Sequence, residues 1–439
     1  MSEWKKVKIG DFLTEREGRY KPDDSKISKY KRLDKIDFSG TIHISDKPTK
    51  TDMIIVHPGD LVISGINVAK GAVAVYQGDE PVCATIHYSS YTFDSSKVDL
   101  DYFKYFVKSP AFIAALQKQV KGGIKTEIKP KHLLPLEISI PDLQTQQRIV
   151  KKISLQLQKT EQLSLEIESQ KNYIKQLRQN ILQDAIEGKL TADWRKQNPV
   201  QKGNPDYDAE ALFEQIQKER INEKKQKELS PITDEEKPFE IPEGWKWVRL
   251  GEICKKITDG THKTPKYTNS GIKFVSAKDI YNKELDFSHC KYISESEHKE
   301  LYKRCNPELN DLLISKSGSI GTVVLNNVTF EFSLFESLAL IKYTQSELVP
   351  KFMKFAVQYI CNNLTISDIK GVCVKHLHLN VLSGQTLGLP PLAEQKEIVN
   401  KVETLLTKVK NIENQIQDRK SLSDKLIFGI LKENLEGKI

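Results

Sequence analysis

The side chains that could carry out chemistry in this 439-residue chain are few, and their spacing completes no known catalytic centre. Glu127 and Lys129 lie close enough to suggest a metal-dependent nuclease, but such a centre also needs an acidic ligand upstream in a defined strand. The stretches Gly65 to Gly71 and Gly318 to Gly321 lack the spacing and the lysine of a phosphate-binding loop. No G-x-S-x-G elbow and no Asn-Pro-Pro or Asp-Pro-Pro sequence of an amino-methyltransferase is present. We therefore expect no catalytic residues in this chain.

Residues that could bind a metal are equally sparse. His289-Cys290 and the pair His376 and His378 could do so in principle, but isolated His and Cys at such spacing are usually structural. The sequence shows no secretory leader, no apolar run of membrane-spanning length and no C-x-x-C pair. These features predict no metal, no membrane span and reduced thiols in a cytoplasm, at Cys83, Cys254, Cys290, Cys305, Cys361 and Cys373.

Loops rich in Lys, Arg, Ser, Thr and Asn are the strongest functional signal. Lysines reach phosphates, and Ser, Thr and Asn can read base edges in the major groove of DNA. A net charge of +8 permits a nucleic acid partner without requiring one. Any one loop alone would be interpreted as a solvated turn, but Lys and Gly recur at equivalent places in both halves of the chain. We predict DNA contacts from Arg19, Lys21, Asn67, Lys70, Lys121, Lys125, Thr126, Lys131, Thr261, His262, Lys263, Thr264, Lys266, Lys278, Lys316, Ser317, Lys370 and Lys375.

These loops need a scaffold, and the chain contains one in duplicate. The stretch from Pro141 to Lys189 recurs as Pro390 to Lys438, at a constant offset of 249 (390 − 141). Both copies end in Glu-Gly-Lys. Apolar residues at spacings of three and four, without Gly or Pro from Thr145 to Glu187, predict a helix about 60 Å long. The repeat therefore indicates a duplicated domain followed by a duplicated long helix.

A helix of that length with one apolar face needs a partner, and the second copy can provide it. We predict an antiparallel coiled coil, while two unrelated surface helices stay the alternative. The residues predicted to pair the helices or bind a partner are Val150, Ile153, Leu157, Ile167, Ile174, Leu177, Ile181, Ile398, Val402, Leu405, Val409, Ile412, Ile416, Leu426 and Ile430.

The globular halves also match. Trp4 to Asp11 aligns with Trp245 to Glu252, and Gly59 to Ser64 aligns with Asn310 to Ser315, whereas the loops between differ. Short apolar runs between turns, with a helical stretch near residues 101–119, predict a mixed α/β fold. The predicted order is a domain at 1–142, a helix at 143–190, a solvated polar linker with a short helix at 191–240, a domain at 241–391 and a helix at 392–439.

These motifs resemble the specificity subunit of type I restriction-modification systems. The resemblance covers essentially the whole chain. It is carried by the helix entries at 140–146 and 389–398, the helix exits at 186–195 and 435–439, the domain start at 241–245, and the Asp-Gly-Thr-His stretch at 259–262. The first domain lacks an Asp-Gly-Thr-His stretch, so its contact residues carry over only weakly.

The resemblance implies two target recognition domains in a pseudo-twofold arrangement, each reading half of a bipartite, asymmetric DNA site. It implies that the paired helices fix the distance between them and bind two methyltransferase subunits, which bring S-adenosylmethionine. Up to two restriction and translocase subunits would add ATP- and Mg²⁺-dependent cleavage. The chain itself would hold no cofactor and would work in a bacterial or archaeal cytoplasm. A stand-alone methyltransferase or nuclease, and a coiled-coil scaffold without a DNA role, are the rival interpretations.

Overall fold

The computed structural model describes residues 4–38, 40–67, 72–109, 112, 114–115, 128–220, 229–282, 284–364, 369–370 and 376–435. The chain forms two compact units. The first unit comprises Met1–Lys171 and Gln415–Ile439, and the second comprises Asn172–Asn414. Both units mix helices and strands.

The first unit holds two four-stranded sheets and one two-stranded sheet, in the orders β2-β9-β6-β7, β4-β3-β8-β5 and β1-β10. The strands are β1 (Lys5–Lys8), β2 (Leu13–Glu15), β3 (Arg32–Ile36), β4 (Ile42–Ser45), β5 (Met53–Val56), β6 (Leu61–Ser64), β7 (Val73–Val75), β8 (Val82–Thr85), β9 (Tyr88–Phe93) and β10 (Glu137–Ile140). Its short helices are Ile9–Asp11, Leu100–Phe106 and Pro130–Leu133.

Strand β6 lies at the centre of the first unit and is buried on both faces. Leu61 and Ile63 belong to the core that contains the helix Leu100–Phe106, while Val62 belongs to the core beneath the second sheet. Successive side chains of a strand point to opposite faces, so an uninterrupted apolar run fits this doubly covered position. The sequence Leu-Val-Ile therefore forms the link between two cores.

The second unit repeats this frame with sheets β12-β21-β18-β19, β13-β17-β14-β20 and β11-β24. Its central strand, β18, is also buried on both faces. The strands are β11 (Lys246–Arg249), β12 (Cys254–Asp259), β13 (Tyr267–Thr268), β14 (Ile272–Val275), β15 (Ile280–Tyr281), β16 (Glu284–Leu285), β17 (Lys291–Ile293), β18 (Leu312–Ser315), β19 (Val323–Leu325), β20 (Ser333–Leu334), β21 (Leu338–Tyr343), β22 (Ile369–Lys370), β23 (His376–Leu377) and β24 (Thr386–Leu389). Its short helices are Ala192–Gln197, Ala209–Arg220, Asp234–Glu236, Leu250–Ile253, Ala277–Asp279, Glu295–Arg304, Pro350–Asn362 and Leu379–Gly384.

The two long helices are Leu143–Ile186 and Leu392–Leu435, each of 44 residues. At 1.5 Å per residue each is about 66 Å long. Both begin with the same device, in which a glutamine side chain donates to the carbonyl of the preceding proline. Gln146 bonds Pro141 at 2.9 Å, and Gln395 bonds Pro390 at 3.1 Å. The first helix ends at Ile186, two residues before Gly188, whose φ of +73° gives the left-handed conformation that follows the end of many helices.

Within each unit, parts of the two long helices pack side by side. In the first unit Ile153 and Ile430 share one core, and Gln156 accepts a hydrogen bond from Asn434 at 3.2 Å. In the second unit Arg178 binds Glu413 at 2.8 Å, and Lys401 donates to the carbonyl of Leu190 at 2.9 Å. Residue numbers rise from Arg178 to Leu190, whereas those of their partners fall from Glu413 to Lys401. The paired segments of the second unit therefore run antiparallel.

Burial along the helices divides the predicted pairing residues into three groups. Leu177, Ile412 and Leu426 are exposed. Val150, Leu157 and Leu405 are half-buried. The buried members are Ile153, Ile167, Ile174, Ile181, Ile398, Val402, Val409, Ile416 and Ile430.

The segment predicted to be a solvated linker packs onto the second unit over its described residues. Ala209, Leu212 and Ile216 form the buried face of the helix Ala209–Arg220. Glu394, at the start of the second long helix, is buried and accepts hydrogen bonds from Thr191, Arg195 and the indole of Trp245. Mixed charges suggested solvent, but the apolar side chains at spacings of three and four decide the packing.

Candidate nucleic-acid interface

In the second unit, one buried carboxylate holds a polar loop in place. Asp259 ends β12 and accepts hydrogen bonds from Lys316 at 2.5 Å, Arg304 at 2.5 Å and the Nε2 atom of His262 at 3.1 Å. Asp259 and Lys316 are both buried. We call these four residues the Asp259 cluster. A buried carboxylate needs such partners, because removing a charge from water without compensation is costly.

The backbone around the Asp259 cluster allows little variation. A Cβ atom at Gly260 would lie 2.1 Å from the carbonyl oxygen of Leu334 in β20, so only glycine fits beside that strand. Thr261 donates its N–H to Leu334 at 3.0 Å, and Glu336 donates its N–H to Thr261 at 3.0 Å. The Asp-Gly-Thr-His stretch is therefore held on both sides, and the loop that follows it starts from a fixed point.

The predicted contact residues of the second unit take two different positions. Lys263, Thr264, Lys266 and Lys278 are exposed, and the side chain of His262 is 60% exposed. Thr261 and Ser317 are half-buried. These side chains can approach a phosphate or a base edge.

Lys316 differs from the other predicted contact residues of the second unit. Its ammonium group lies in the interior against Asp259. The prediction that Lys316 contacts DNA is corrected on this ground, because a buried ion pair does not present its charge to a phosphate. Lys316 instead holds the loop that carries Ser317.

Those predicted contact residues of the first unit that the structure describes share no comparable cluster. Arg19, Lys21 and Lys131 are exposed, Asn67 is half-buried, and Lys21 forms a surface ion pair with Asp52 at 3.1 Å. The structure does not describe Lys70, Lys121, Lys125, Thr126 and Lys375, and it describes Lys370 only as backbone in β22.

Both units pin the turn before the central strand through an aspartate. In the first unit Asp60 accepts from Arg16 at 2.7 Å, Ser90 at 2.8 Å and the backbone N–H of His57 at 2.9 Å. In the second unit Asp311 accepts from Lys342 at 2.7 Å and the N–H of Glu308 at 2.8 Å. Burial raises the pKa of Asp311 while Lys342 opposes the rise. These aspartates support the frame and are not surface groups.

A pocket of about 540 Å³ opens in the second unit beside the Asp259 cluster. Aromatic side chains form its wall, with Tyr267 and Phe274 ring centres 6.0 Å apart and Phe274 and Phe335 ring centres 6.1 Å apart. Lys278 and Lys291 are exposed residues that also line it. Nothing in the sequence showed that Tyr267, Phe274, Phe335 and Lys291 would lie together.

Neither a reactive thiol at Cys254, Cys305 or Cys361 nor a metal-binding group of three side chains is found among the described residues. Burial raises the pKa of the Cys254, Cys305 and Cys361 thiols to about 12, and a thiolate is the reactive form of cysteine. No group of three His, Cys, Asp or Glu side chains among the described residues could hold a metal ion. Glu127 lies outside that part of the chain. No helix in the described part of the chain is long and apolar enough to cross a membrane.

Comparison with known proteins finds a family that matches this chain. The family described as "Type I restriction modification DNA specificity domain" matches residues 1–172 and 242–419. The specificity subunit of the type I restriction enzyme EcoBI from Escherichia coli is 22% identical over 334 residues, which is 75% of this chain and 64% of that protein. The EcoAI specificity subunit from Escherichia coli is 29% identical over 243 residues, covering 52% of this chain and 39% of that protein. The chain thus matches less than two thirds of the length of each.

Two solved structures have a similar fold. One comes from a study of complex assembly and conformational transition of the type I R-M system. It matches with a TM-score of 0.66 at 15% identity, over 100% of this chain and 98% of that one. The HsdS subunit from Thermoanaerobacter tengcongensis matches with a TM-score of 0.52 at 16% identity, over 100% of this chain and 97% of that one. The prediction of two mixed α/β domains joined by a long helix is confirmed.

Proposed function

The chain belongs to the type I restriction modification DNA specificity family, and we propose that it is the specificity subunit of a type I restriction-modification enzyme. In this proposal each unit reads one half of an asymmetric, bipartite DNA site. The observation that carries it is the repeated frame, β2-β9-β6-β7 and β12-β21-β18-β19, with different loops on each copy. Two copies of one scaffold with different reading loops suit a site made of two different halves.

The exposed side chains of the second unit support contact with DNA. Lys263, Lys266 and Lys278 are exposed and can neutralise phosphates, which fixes the position of the protein without reading sequence. His262 and Thr264 stand on the same rigidly held loop and have the chemistry to contact base edges. Sequence would be read by these loops together with the deformability of the site.

We propose that the two long helices set the distance between the half-sites. Each contains 44 residues, and their paired segments run antiparallel in the second unit. Half-sites read from one face of the duplex lie about one helical turn apart, or roughly 34 Å.

The partners follow from the same proposal. Two methyltransferase subunits would bind the helices through apolar side chains that are exposed in this chain, such as Leu165 in the first unit and Tyr173 in the second. They would supply S-adenosylmethionine and methylate adenine, and up to two restriction and translocase subunits would add ATP- and Mg²⁺-dependent cleavage. The chain would bind no cofactor of its own. It would work beside the chromosome in a bacterial or archaeal cytoplasm.

Co-expression with its methyltransferase subunits, followed by methylated-base sequencing of the host genome, tests this function. We expect methylation at one bipartite motif, and a chain with residues 241–391 taken from another family member should change one half of that motif only. Methylation by the purified chain and S-adenosylmethionine alone would instead support a stand-alone methyltransferase. Binding to duplex DNA that is negligible and insensitive to salt would support a scaffold without a DNA role.

A further inference from the structure

The aromatic pocket of the second unit has more room than the reading of base edges requires. A side chain that reads the major groove projects from the protein surface into the groove, so a reading surface needs no cavity of its own. The pocket nevertheless measures about 540 Å³, which is within the size range of small-molecule sites. A group as large as a nucleotide can therefore enter it.

The wall of the pocket offers aromatic surface, with neighbouring rings inclined to one another by 57° and 63°. Phe274 is buried at the base, Phe335 is half-buried, and Tyr267 stands exposed at the edge. Aromatic side chains stack on the face of any nucleobase, and this contact recurs wherever proteins hold unpaired bases.

The remaining lining groups suit the other parts of a nucleotide. Lys278 and Lys291 are exposed lining residues and match the negative charge of a phosphate. Glu336 also lines the pocket and can accept a hydrogen bond from an exocyclic amine, which adenine, cytosine and guanine have and thymine lacks. Ser317 and Ser319 add hydroxyl groups that either donate or accept.

The pocket is joined to the Asp259 cluster through two contacts. Glu336 lies 3.9 Å from the Nδ1 atom of His262, and the backbone N–H of Lys316 donates to the carbonyl of Ser337, a lining residue, at 2.8 Å. The loop predicted to meet DNA and the pocket are thus neighbours within the second unit. A group held by that loop would lie next to the pocket.

We propose that this pocket holds one nucleotide of the target, turned out of the duplex, whose base carries an exocyclic amine. The inference rests on the proposed DNA-binding function and adds to it a second way of reading sequence. Extruding a base costs unstacking and unpairing energy, and the cost is smallest where the base is mismatched. The second unit would therefore bind more tightly to a half-site in which this base is easily extruded and its amine can bond to Glu336.

The test uses the chain assembled with its methyltransferase subunits and a duplex that carries the motif found by methylated-base sequencing. A fluorescent base analogue replaces each purine or cytosine in turn, except at methylated positions, whose bases are expected to leave the duplex for the methyltransferase. We expect a several-fold rise in fluorescence at a single position of one half-site. A mismatch at that position should also tighten binding.

Two variants assign the signal to the pocket. Tyr267→Ala removes the exposed part of the wall and should reduce the rise, and Ser319→Trp should block the pocket and abolish it. Phe330→Ala is the matched control, since Phe330 is a second-unit aromatic that is 45% exposed like Tyr267 but does not line the pocket. The control should leave the rise unchanged.

Each contrary outcome has a distinct meaning. No rise at any position, while the duplex is bound, would overturn the pocket proposal and leave the DNA-binding function intact. A rise that persists in Ser319→Trp would place the extruded base elsewhere and also overturn it. Binding of a free nucleotide analogue that Ser319→Trp prevents, without extrusion from DNA, would show that the ligand is a free nucleotide. No binding to the duplex at all would contradict the proposed function as well.

Discussion

The two units share a frame but differ in how firmly they hold their loops. The central strands β6 and β18 are both fully buried, and both are preceded by an aspartate-pinned turn, at Asp60 and Asp311. The second unit adds the Asp259 cluster, which has no counterpart among the described residues of the first unit. Buried strands tolerate little change, because close packing penalises every change of volume, whereas surface loops are free to diverge. The duplicated scaffold thus stays constant where it packs and differs in the loops proposed to read DNA.

The second sheet shows the same division. In both units a parallel pair lies within it, β3 with β8 and β14 with β20. The outer strand differs, since β5 joins β8 in the first unit while β13 joins β17 in the second. Strand β13 brings Tyr267 to the pocket. Strand β3, the counterpart of the Phe274 strand, has the sequence Arg-Leu-Asp-Lys-Ile and carries no aromatic ring.

The largest effect is expected from breaking the Asp259 cluster of the second unit. Asp259→Ala leaves Lys316 buried without its counter-charge, and removing one partner of a buried ion pair costs about 3–5 kcal/mol. We expect the free energy of unfolding, measured by urea denaturation, to fall by that amount. The surface pair of the first unit provides the control, because Asp52→Ala should cost about 1 kcal/mol or less.

A double variant sharpens this prediction. Asp259→Ala with Lys316→Met removes both buried charges and should recover part of the lost stability, since an apolar replacement of a buried pair is often tolerated. Equal losses in the single and double variants would contradict a structural role for Lys316.

A smaller effect is expected along the long helices, where some apolar residues are buried in the protein and others are exposed. Ile153→Ala should lower the free energy of unfolding by about 2–5 kcal/mol, because Ile153 is fully buried in the first unit. Leu165→Ala, on the same helix but 68% exposed, should leave unfolding nearly unchanged and weaken binding of the methyltransferase subunit. Calorimetry of unfolding and of subunit binding separates the two. Normal subunit binding by Leu165→Ala would argue against this face as the interface.

The smallest effect is expected from single surface charges. Lys263→Ala and Lys266→Ala should weaken DNA binding without altering the methylated motif, because phosphate contacts carry no sequence information. Each lost contact should reduce the slope of log affinity against log salt by about 0.9. Lys202→Ala, an exposed lysine of the second unit outside its polar loops, is the control. A changed motif in either loop variant would show that these lysines read bases.

The sequence alone was sufficient to predict the long helices and the duplicated domains, because both follow from local patterns that occur twice. Spacings of three and four predict the long helices, and the constant offset predicts the duplication. Lys316 could not be placed in the same way. Its partner, Asp259, lies 57 residues earlier, and only the pairing of β12, β21 and β18 brings the two together. The pocket likewise joins Tyr267, Phe274 and Phe335, whose separation along the chain gives no local pattern.

The central claim is that the two units read separate half-sites at a distance fixed by the long helices. Inserting two helical turns into both helices, at matching positions of their paired segments, would lengthen each by about 10–11 Å. Methylated-base sequencing of a strain that carries this variant measures the result directly. We expect the same two half-sites separated by a wider gap. An unchanged gap, or changed half-site sequences, would contradict it.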